Sequence, residues 1–134
     1  MKALKVIEVS NGYEYEFILQ RKTGKNKSLA KGNQILNSND RMHYIVKSQI
    51  TEFLRTLACQ KVGVFKHHVY DTKNTCTVLV TVYPPTKRRI DPSNLAPTVK
   101  ALMDGMTDAN LWVDDSEYIV ALVAYQFVKI STIK

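Results

Sequence analysis

The sequence has no apolar run long enough to cross a membrane, and it has very few cysteines. Its longest uninterrupted apolar stretch covers the eight residues 118–125, whereas a helix needs about 20 residues to span a bilayer. Near the start, Glu8 interrupts the apolar pattern before the core of a signal peptide can form. With only Cys59 and Cys76 present, a disulfide framework is not expected. These features favour a cytoplasmic protein without a membrane partner.

Glycine and proline are also scarce, with five and four residues, while hydrophobic residues form 45% of the 134 positions. This composition is typical of a folded domain and excludes a fibre or a disordered chain. The length predicts one domain over residues 1–134. Acids are outnumbered, because 19 Lys and Arg face 12 Asp and Glu and leave a formal net charge of +7. Such an excess favours a polyanionic partner, and nucleic acid is the first candidate.

Four segments have the composition or alternation of β-strands. Residues 3–9 and 13–19 alternate in polarity, and the Asn11-Gly12 pair between them predicts a hairpin. Residues 64–70 and 75–83 are rich in β-branched and aromatic side chains, and turn-forming residues separate them. The sequence therefore predicts a second hairpin here.

Two segments have helical periodicity. Residues 40–59 repeat apolar side chains at helical spacing after several N-capping candidates. A second helix is predicted to open at the turn 91–94, with a buried stripe at Leu95, Val99, Leu102 and Met106. Residues 118–130 begin with an apolar run on both faces, which predicts a central strand. Together these elements predict an α/β (α+β) domain in which two main helices pack on a mixed β-sheet of about four to five strands.

Basic and acidic residues form adjoining clusters. Residues 21–31 carry five Lys and Arg and no acid, which favours phosphate contact, although a solvated loop would have the same composition. A second basic run, 87–89, ends two residues before Asp91, and six of the twelve acids lie between Asp91 and Glu117. A protein that only binds DNA gains nothing from these acids, whereas a nuclease uses carboxylates to hold a divalent cation. The candidate ligands are Asp91, Asp104, Asp108, Asp114, Asp115 and Glu117.

Spacing narrows these candidates. Lys100 and Asp104 are four residues apart on the second helix, so they share one side of it, and Ser93 lies near that side if the helix begins early. A lysine there can reach a phosphate beside a metal, but an ordinary surface ion pair with Asp104 fits the same spacing. Asp114 and Asp115 precede the last strand, where alternation would aim one toward Asp91 and the other toward solvent. We expect Asp108, at the end of the helix, to be solvated.

These residues resemble a known family. The stretch 88–95, then Lys100 and Asp104, then 111–115, is similar to the RusA family of Holliday junction resolvases found in phages and prophages, and residues 36–44 look like the segment that opens the first helix. The resemblance spans roughly residues 36–118. It implies a RusA-like α/β nuclease that acts as a homodimer on four-way DNA junctions. It further implies paired nicks made with Mg²⁺ or Mn²⁺, no small-molecule cofactor, and a bacterial or phage-infected host cytoplasm.

Carried over by position, Asp91, Lys100 and Asp115 match the catalytic residues of the family, and Asn94 matches its neighbouring position. Ser93 stands where a second aspartate is expected, and the interval to Lys100 is three residues longer than in the family pattern. A neutral hydroxyl is a weaker metal ligand than a carboxylate, so Asp114, Asp104 or water completes the coordination or the site is weakened. The predicted metal ligands are Asp91, Asp114 and Asp115, with auxiliary roles for Ser93, Asn94 and Asp104.

The resemblance also implies where DNA would bind. The predicted backbone contacts come from Arg21, Lys22, Lys25, Lys27, Arg41, Lys87, Arg88 and Arg89. The aromatic candidates for stacking on open junction bases, positions that more often belong to a core or interface, are Tyr44, Phe65, Tyr70, Tyr83 and Trp112. Two other functions stay open at this point. One is a junction-binding protein that has lost cleavage through the change at Ser93, and the other is a basic regulatory or RNA-binding domain without metal.

Overall fold

The computed structural model describes residues 3–9, 12–19, 34–38, 44–83 and 92–128. Its strands are β1 (Ala3–Val9), β2 (Tyr13–Glu16), β3 (Cys76–Tyr83) and β4 (Val120–Phe127). They form one mixed sheet in the order β2-β1-β3-β4, in which β1 is antiparallel to β2 and β3 while β3 and β4 are parallel. The helices are α1 (Tyr44–Val62) and α2 (Ala96–Asp108), and a 3₁₀ turn at Pro92–Leu95 leads into α2.

This architecture confirms a small mixed α+β fold with two helices and a sheet. Within the described residues, the sheet has fewer strands than the five segments with strand character in the sequence. No helix in these ranges is both long enough and apolar enough to cross a membrane.

The first hairpin is confirmed. Strands β1 and β2 pair with Val9 opposite Tyr13, and Gly12 has a φ of 96°, a left-handed conformation that favours glycine in the connecting turn. Strand β2 is shorter than predicted and ends at Glu16. Beyond it, Phe17 and Leu19 are buried in the core without continuing the strand.

The second predicted hairpin is wrong, because residues 64–70 do not form a strand. Only Tyr70 takes part in a bridge, to Trp112. The backbone N–H groups of Phe65 and Tyr70 donate to the carbonyls of Ala109 (2.8 Å) and Leu111 (2.9 Å) instead of pairing with β3. The segment therefore lies against the loop that follows α2. The turn before β3 does form, since the carboxylate of Asp71 accepts from two following N–H groups.

The last strand is also placed differently from the prediction. We expect a central strand from its apolar run, yet β4 is the last strand in the described order of the sheet. Its side chains are largely accessible, with Leu122 56% and Val123 36% exposed. In β4, apolar residues on both faces of the strand therefore do not mean that both faces are buried.

The helices pack on each other at a glycine. Helix α1 presents Ile50, Leu54 and Ala58 to the core, while Ile45 and Phe53 of its predicted stripe are 49% and 43% exposed. A Cβ on Gly105 of α2 would lie 2.1 Å from the carbonyl oxygen of Arg55. The close crossing of the two helices thus depends on the missing side chain at this position.

Candidate functional site

Helix α2 carries the candidate site on the side that faces away from the core. Its predicted stripe is confirmed, because all four apolar side chains are buried: Leu95, Val99, Leu102 and Met106. Pro97 lies in the first turn, where its missing N–H costs no helical hydrogen bond. Lys100 and Asp104, four residues apart, consequently lie together on the accessible side.

A buried hydroxyl fixes the start of α2. The Thr98 hydroxyl accepts a hydrogen bond from the N–H of Leu36 and donates one to the carbonyl of the same residue, both at 2.7 Å. The N–H of Ser38 also donates to the carbonyl of Asn94 at 3.0 Å. These bonds hold the segment 34–38 against the turn that precedes Lys100. The backbone of Asn94 therefore has a structural partner.

The loop after α2 is anchored in the core. Asn110 adopts a left-handed φ of 64°, and its side-chain amide donates to the carbonyl of Phe65 at 2.9 Å. Trp112 is fully buried, and its indole N–H donates to the Thr107 hydroxyl at 2.6 Å. Asp115 follows Trp112 by only three residues, so the chain reaches it from an anchored position.

Lys100 of α2 forms ion pairs both within its own helix and with the loop after α2. Its Nζ lies 2.9 Å from Asp104 Oδ1 and 2.7 Å from Asp115 Oδ2. The lysine side chain is 62% exposed, and the two aspartates are 31% and 25% exposed. Hydrogen bonds to Asp115 first and to Asp104 second raise the pKa of Lys100, so the ammonium stays charged at neutral pH. We call Lys100, Asp104 and Asp115 the charge cluster.

Asp114 and Asp115 point in different directions. Asp114 is exposed, and its Oδ1 accepts a hydrogen bond from the N–H of Ser116 at 2.9 Å. Hydrogen bonds from the side chain and backbone of Ser116 lower the pKa of Asp114. Asp115 instead meets Lys100, while Asp91, toward which one of the two carboxylates was predicted to point, lies outside the described residues.

Asp108 has a partner that the sequence pattern did not reveal. Its carboxylate receives two hydrogen bonds from the Arg55 guanidinium, at 2.5 and 2.8 Å, which lower the pKa of Asp108. The two residues are 53 positions apart and connect α1 to α2. Asp108 is exposed, as expected, but it also pairs with Arg55, and it belongs to the contact between the helices rather than to the charge cluster.

Several predicted site residues lie outside the described residues. These are Asp91 and all the predicted DNA-backbone contacts: Arg21, Lys22, Lys25, Lys27, Arg41, Lys87, Arg88 and Arg89. Ser93 lies within the 3₁₀ turn at the entrance to α2. In the ranges that the structure covers, no group of three or more His, Cys, Asp or Glu is arranged to hold a metal ion.

The aromatic candidates divide by exposure. Trp112 and Tyr70 are fully buried, in agreement with a place in the core, while Tyr44 is 72% exposed. Tyr118 was not among the candidates, yet it is 73% exposed and follows Asp115 by three residues. In the sequence, the paired acids shortly before Tyr118 and the start of β4 just after it were the features that could have indicated this residue.

Comparison with known proteins adds no relative to this picture. No family model, no curated protein and no solved structure matches the chain.

Proposed function

We propose that this chain is a metal-dependent endodeoxyribonuclease that resolves four-way DNA junctions by paired symmetric nicks, acting as a homodimer. The observation that carries the proposal is the contact between Lys100 and Asp115, 15 positions apart in the sequence and 2.7 Å apart in space. The resemblance to RusA resolvases assigns catalytic roles to both residues. A surface ion pair contributes only about 0–1 kcal/mol to stability, so the fold alone gives little reason for this convergence.

The charge cluster would contribute a cation and two carboxylates to phosphodiester hydrolysis. Lys100 remains protonated and would stabilise negative charge on a phosphate oxygen near Asp115. The carboxylates of Asp115 and Asp104 are the hard oxygen donors that Mg²⁺ or Mn²⁺ prefers. Asp91, outside the described residues, would supply a further carboxylate together with Asp115 and Asp114, and Asp104 would be an auxiliary ligand. When bound, the metal would neutralise charge on the scissile phosphate and activate water.

Binding of DNA would rest on the basic residues of the sequence. The net charge of +7 favours association with a polyanion. If about five to seven of the predicted basic residues contact phosphate, the log-log slope of affinity against salt is about −5 to −6. A slope near zero would contradict the electrostatic part of the proposal.

A second candidate is a junction-binding protein with weakened or lost cleavage. Ser93 favours it, because this hydroxyl stands where the family pattern has a metal-binding carboxylate. The turn that holds Ser93 leads directly into the helix that carries Lys100. A lost carboxylate at that point would reduce the negative charge available to a cation without disturbing DNA binding.

Cleavage of a labelled synthetic four-way junction in Mg²⁺ or Mn²⁺ tests both candidates. We expect symmetric nicks from the wild type, and a fall of at least about 100-fold in Asp115→Asn and in Lys100→Met, the scale seen when one electrostatic stabiliser is removed. Lys47→Met, on the exposed side of α1, is the matched control and should cleave like the wild type. Binding should persist in all three variants.

The outcomes separate the candidates. Tight junction binding without nicks in either metal, with cleavage restored by Ser93→Asp, supports the second candidate. Equal affinity for junctions, duplex and single strands contradicts both, and favours a general nucleic-acid-binding domain.

A further inference from the structure

The chain from the end of α1 to the start of β3 carries basic side chains that the proposed site does not use. Residues 61–75 contain three lysines, two histidines and one acid. All five basic side chains are exposed: Lys61, Lys66, His67, His68 and Lys73. We call residues 61–75 the basic segment. It is separate in sequence from the basic runs 21–31 and 87–89, and the structure describes the whole of it.

A bend in the backbone presents three of these side chains together. Lys66, His67 and His68 are consecutive, and in a strand neighbouring side chains would point to opposite faces. The chain bends at residues 66–67 instead, so all three side chains reach solvent. On either side of them, Phe65 and Tyr70 meet a tyrosine ring of β2 edge to face. The aromatic residues thus hold the segment on the domain while the polar residues face outward.

Hydrogen bonds fix the basic segment in place. The N–H groups of Phe65, Val69 and Tyr70 donate to carbonyls of the loop after α2 at 2.8, 3.3 and 2.9 Å. The side-chain amide of Asn74 donates to the carbonyl of Val69 at 3.1 Å. A surface that is already ordered loses less conformational entropy when it binds a partner. The segment is therefore suited to contact a rigid ligand.

The only acid of the basic segment is engaged by its own turn. Asp71 Oδ1 accepts hydrogen bonds from the N–H groups of Lys73 and Asn74, both at 2.9 Å. The ion pairs between described residues involve Arg55 and Lys100, and none of them involves a lysine of the basic segment. Its three ammonium groups are therefore accessible to an anion.

We propose that the basic segment binds the phosphate backbone of a DNA arm whose reacting phosphate lies at the charge cluster. A lysine ammonium attracts phosphate as a point charge, and an imidazole N–H donates a hydrogen bond to a phosphate oxygen. Contacts of this kind orient a duplex without reading its sequence. The inference rests on the proposed function, because the charge cluster supplies the reason to expect DNA.

The basic segment and the charge cluster are close enough for one duplex to reach both. Tyr70 pairs with Trp112 across a parallel bridge. His68 lies two residues before this bridge on one side of it, and Asp115 lies three residues after it on the other. At about 3.5 Å per residue and about 5 Å across the bridge, their Cα atoms are within roughly 23 Å of each other. Because each base pair rises about 3.4 Å, an arm of about seven base pairs covers this distance.

Binding of a labelled four-way junction in EDTA, measured by fluorescence anisotropy over a salt series, tests the inference without requiring cleavage. Lys66→Gln/Lys73→Gln should make the log-log slope of affinity against salt less steep by about 1.8, because each lost phosphate contact removes about 0.9. The fall in affinity between about 50 and 200 mM salt then shrinks about 12-fold. Lys66→Arg/Lys73→Arg retains both charges and should bind like the wild type. Lys47→Gln removes an exposed lysine of α1 and should keep the wild-type slope.

Acetylation of the lysines in the wild type, read by mass spectrometry, is a second measurement that needs no variant to fold. The junction should protect Lys66 and Lys73 and leave Lys47 reactive. An unchanged slope in Lys66→Gln/Lys73→Gln overturns the inference, and so does equal acetylation of Lys66 with and without DNA.

The remaining outcomes separate this inference from the proposed function. Loss of binding to phosphatidylserine vesicles, with DNA binding unchanged, would overturn the inference and assign the basic segment to a membrane surface. A reduced slope in the double variant without any nicks in Mg²⁺ refutes the nuclease alone. Nicking by the wild type with an unchanged slope in the double variant refutes the DNA contact of the basic segment alone.

Discussion

The crossing of the two helices predicts that Gly105→Ala destabilises the protein. Helix propensity alone would make alanine more stable by about 1 kcal/mol. The new Cβ, however, would lie 2.1 Å from the carbonyl oxygen of Arg55 and 2.8 Å from the Cβ of Ala58. Both neighbours belong to α1, and a backbone oxygen cannot move without shifting the helix.

Overpacking of this kind costs about 1–3 kcal/mol and sometimes more. With backbone in the way, the upper end of this range applies, and subtracting the gain in propensity leaves a net loss of about 2 kcal/mol. For a domain of this size that loss lowers the Tm by roughly 6–10 °C. The steric effect is therefore expected to exceed the helical preference.

Urea unfolding followed through tryptophan emission measures this effect. Trp112 is the only tryptophan and is fully buried, so its emission reports on the core. Gly63→Ala is the comparison, because Gly63 has a φ of 75° and nothing within 4 Å of an added Cβ. It should cost about 1 kcal/mol through backbone strain alone. A Gly105→Ala midpoint equal to or above the wild type would refute the reasoning.

Three further predictions concern buried and paired groups. Thr98→Val leaves the backbone N–H and C=O of Leu36 without their partner and should cost about 1–3 kcal/mol in urea unfolding. The lowered pKa of Asp108 means that its pair with Arg55 stabilises the fold above the ordinary value of 3.8 and stops doing so as pH falls through the lower folded value. The small deficit of Arg55→Met at pH 7 should therefore shrink as the pH falls below 3.8, and a deficit that stays constant would contradict this. Burial raises the pKa of Cys76 to about 11, so iodoacetamide at pH 8 should label only the other cysteine in the folded protein, as read by mass spectrometry.

Local sequence patterns predicted those helices and strands whose buried face is set by the spacing of their own residues. The spacing of Leu102 and Met106 on α2, and the alternation of Val78 and Val80 on β3, reflect faces that are buried here. Residues 64–70 have strand composition, but their N–H groups bond to the loop after α2. Whether residues 64–70 pair with β3 or with the loop after α2 depends on distant parts of the chain, so the pattern of the segment itself cannot predict it.

The candidate site was predictable in part for the same reason. Spacing of four placed Lys100 beside Asp104, and the resemblance added Asp115. The contact between Lys100 and Asp115 requires the chain to return from α2 to the sheet, which no local pattern specifies. Arg55 and Asp108 are separated by 53 positions, so their pairing follows only from the crossing of the helices. The position of β4 at the edge of the sheet likewise depends on other segments of the chain, so its own sequence does not predict it.

The hydrogen bonds that anchor the loop after α2 do not involve the side chains of the charge cluster. Asn110 and Trp112, which precede Asp115, are held by hydrogen bonds to Phe65 and Thr107, and neither bond involves a charge at position 100, 104 or 115. Natural variation can therefore exchange the charged residues one at a time while the scaffold survives. The properties of the charge cluster can then change by single substitutions within one fold.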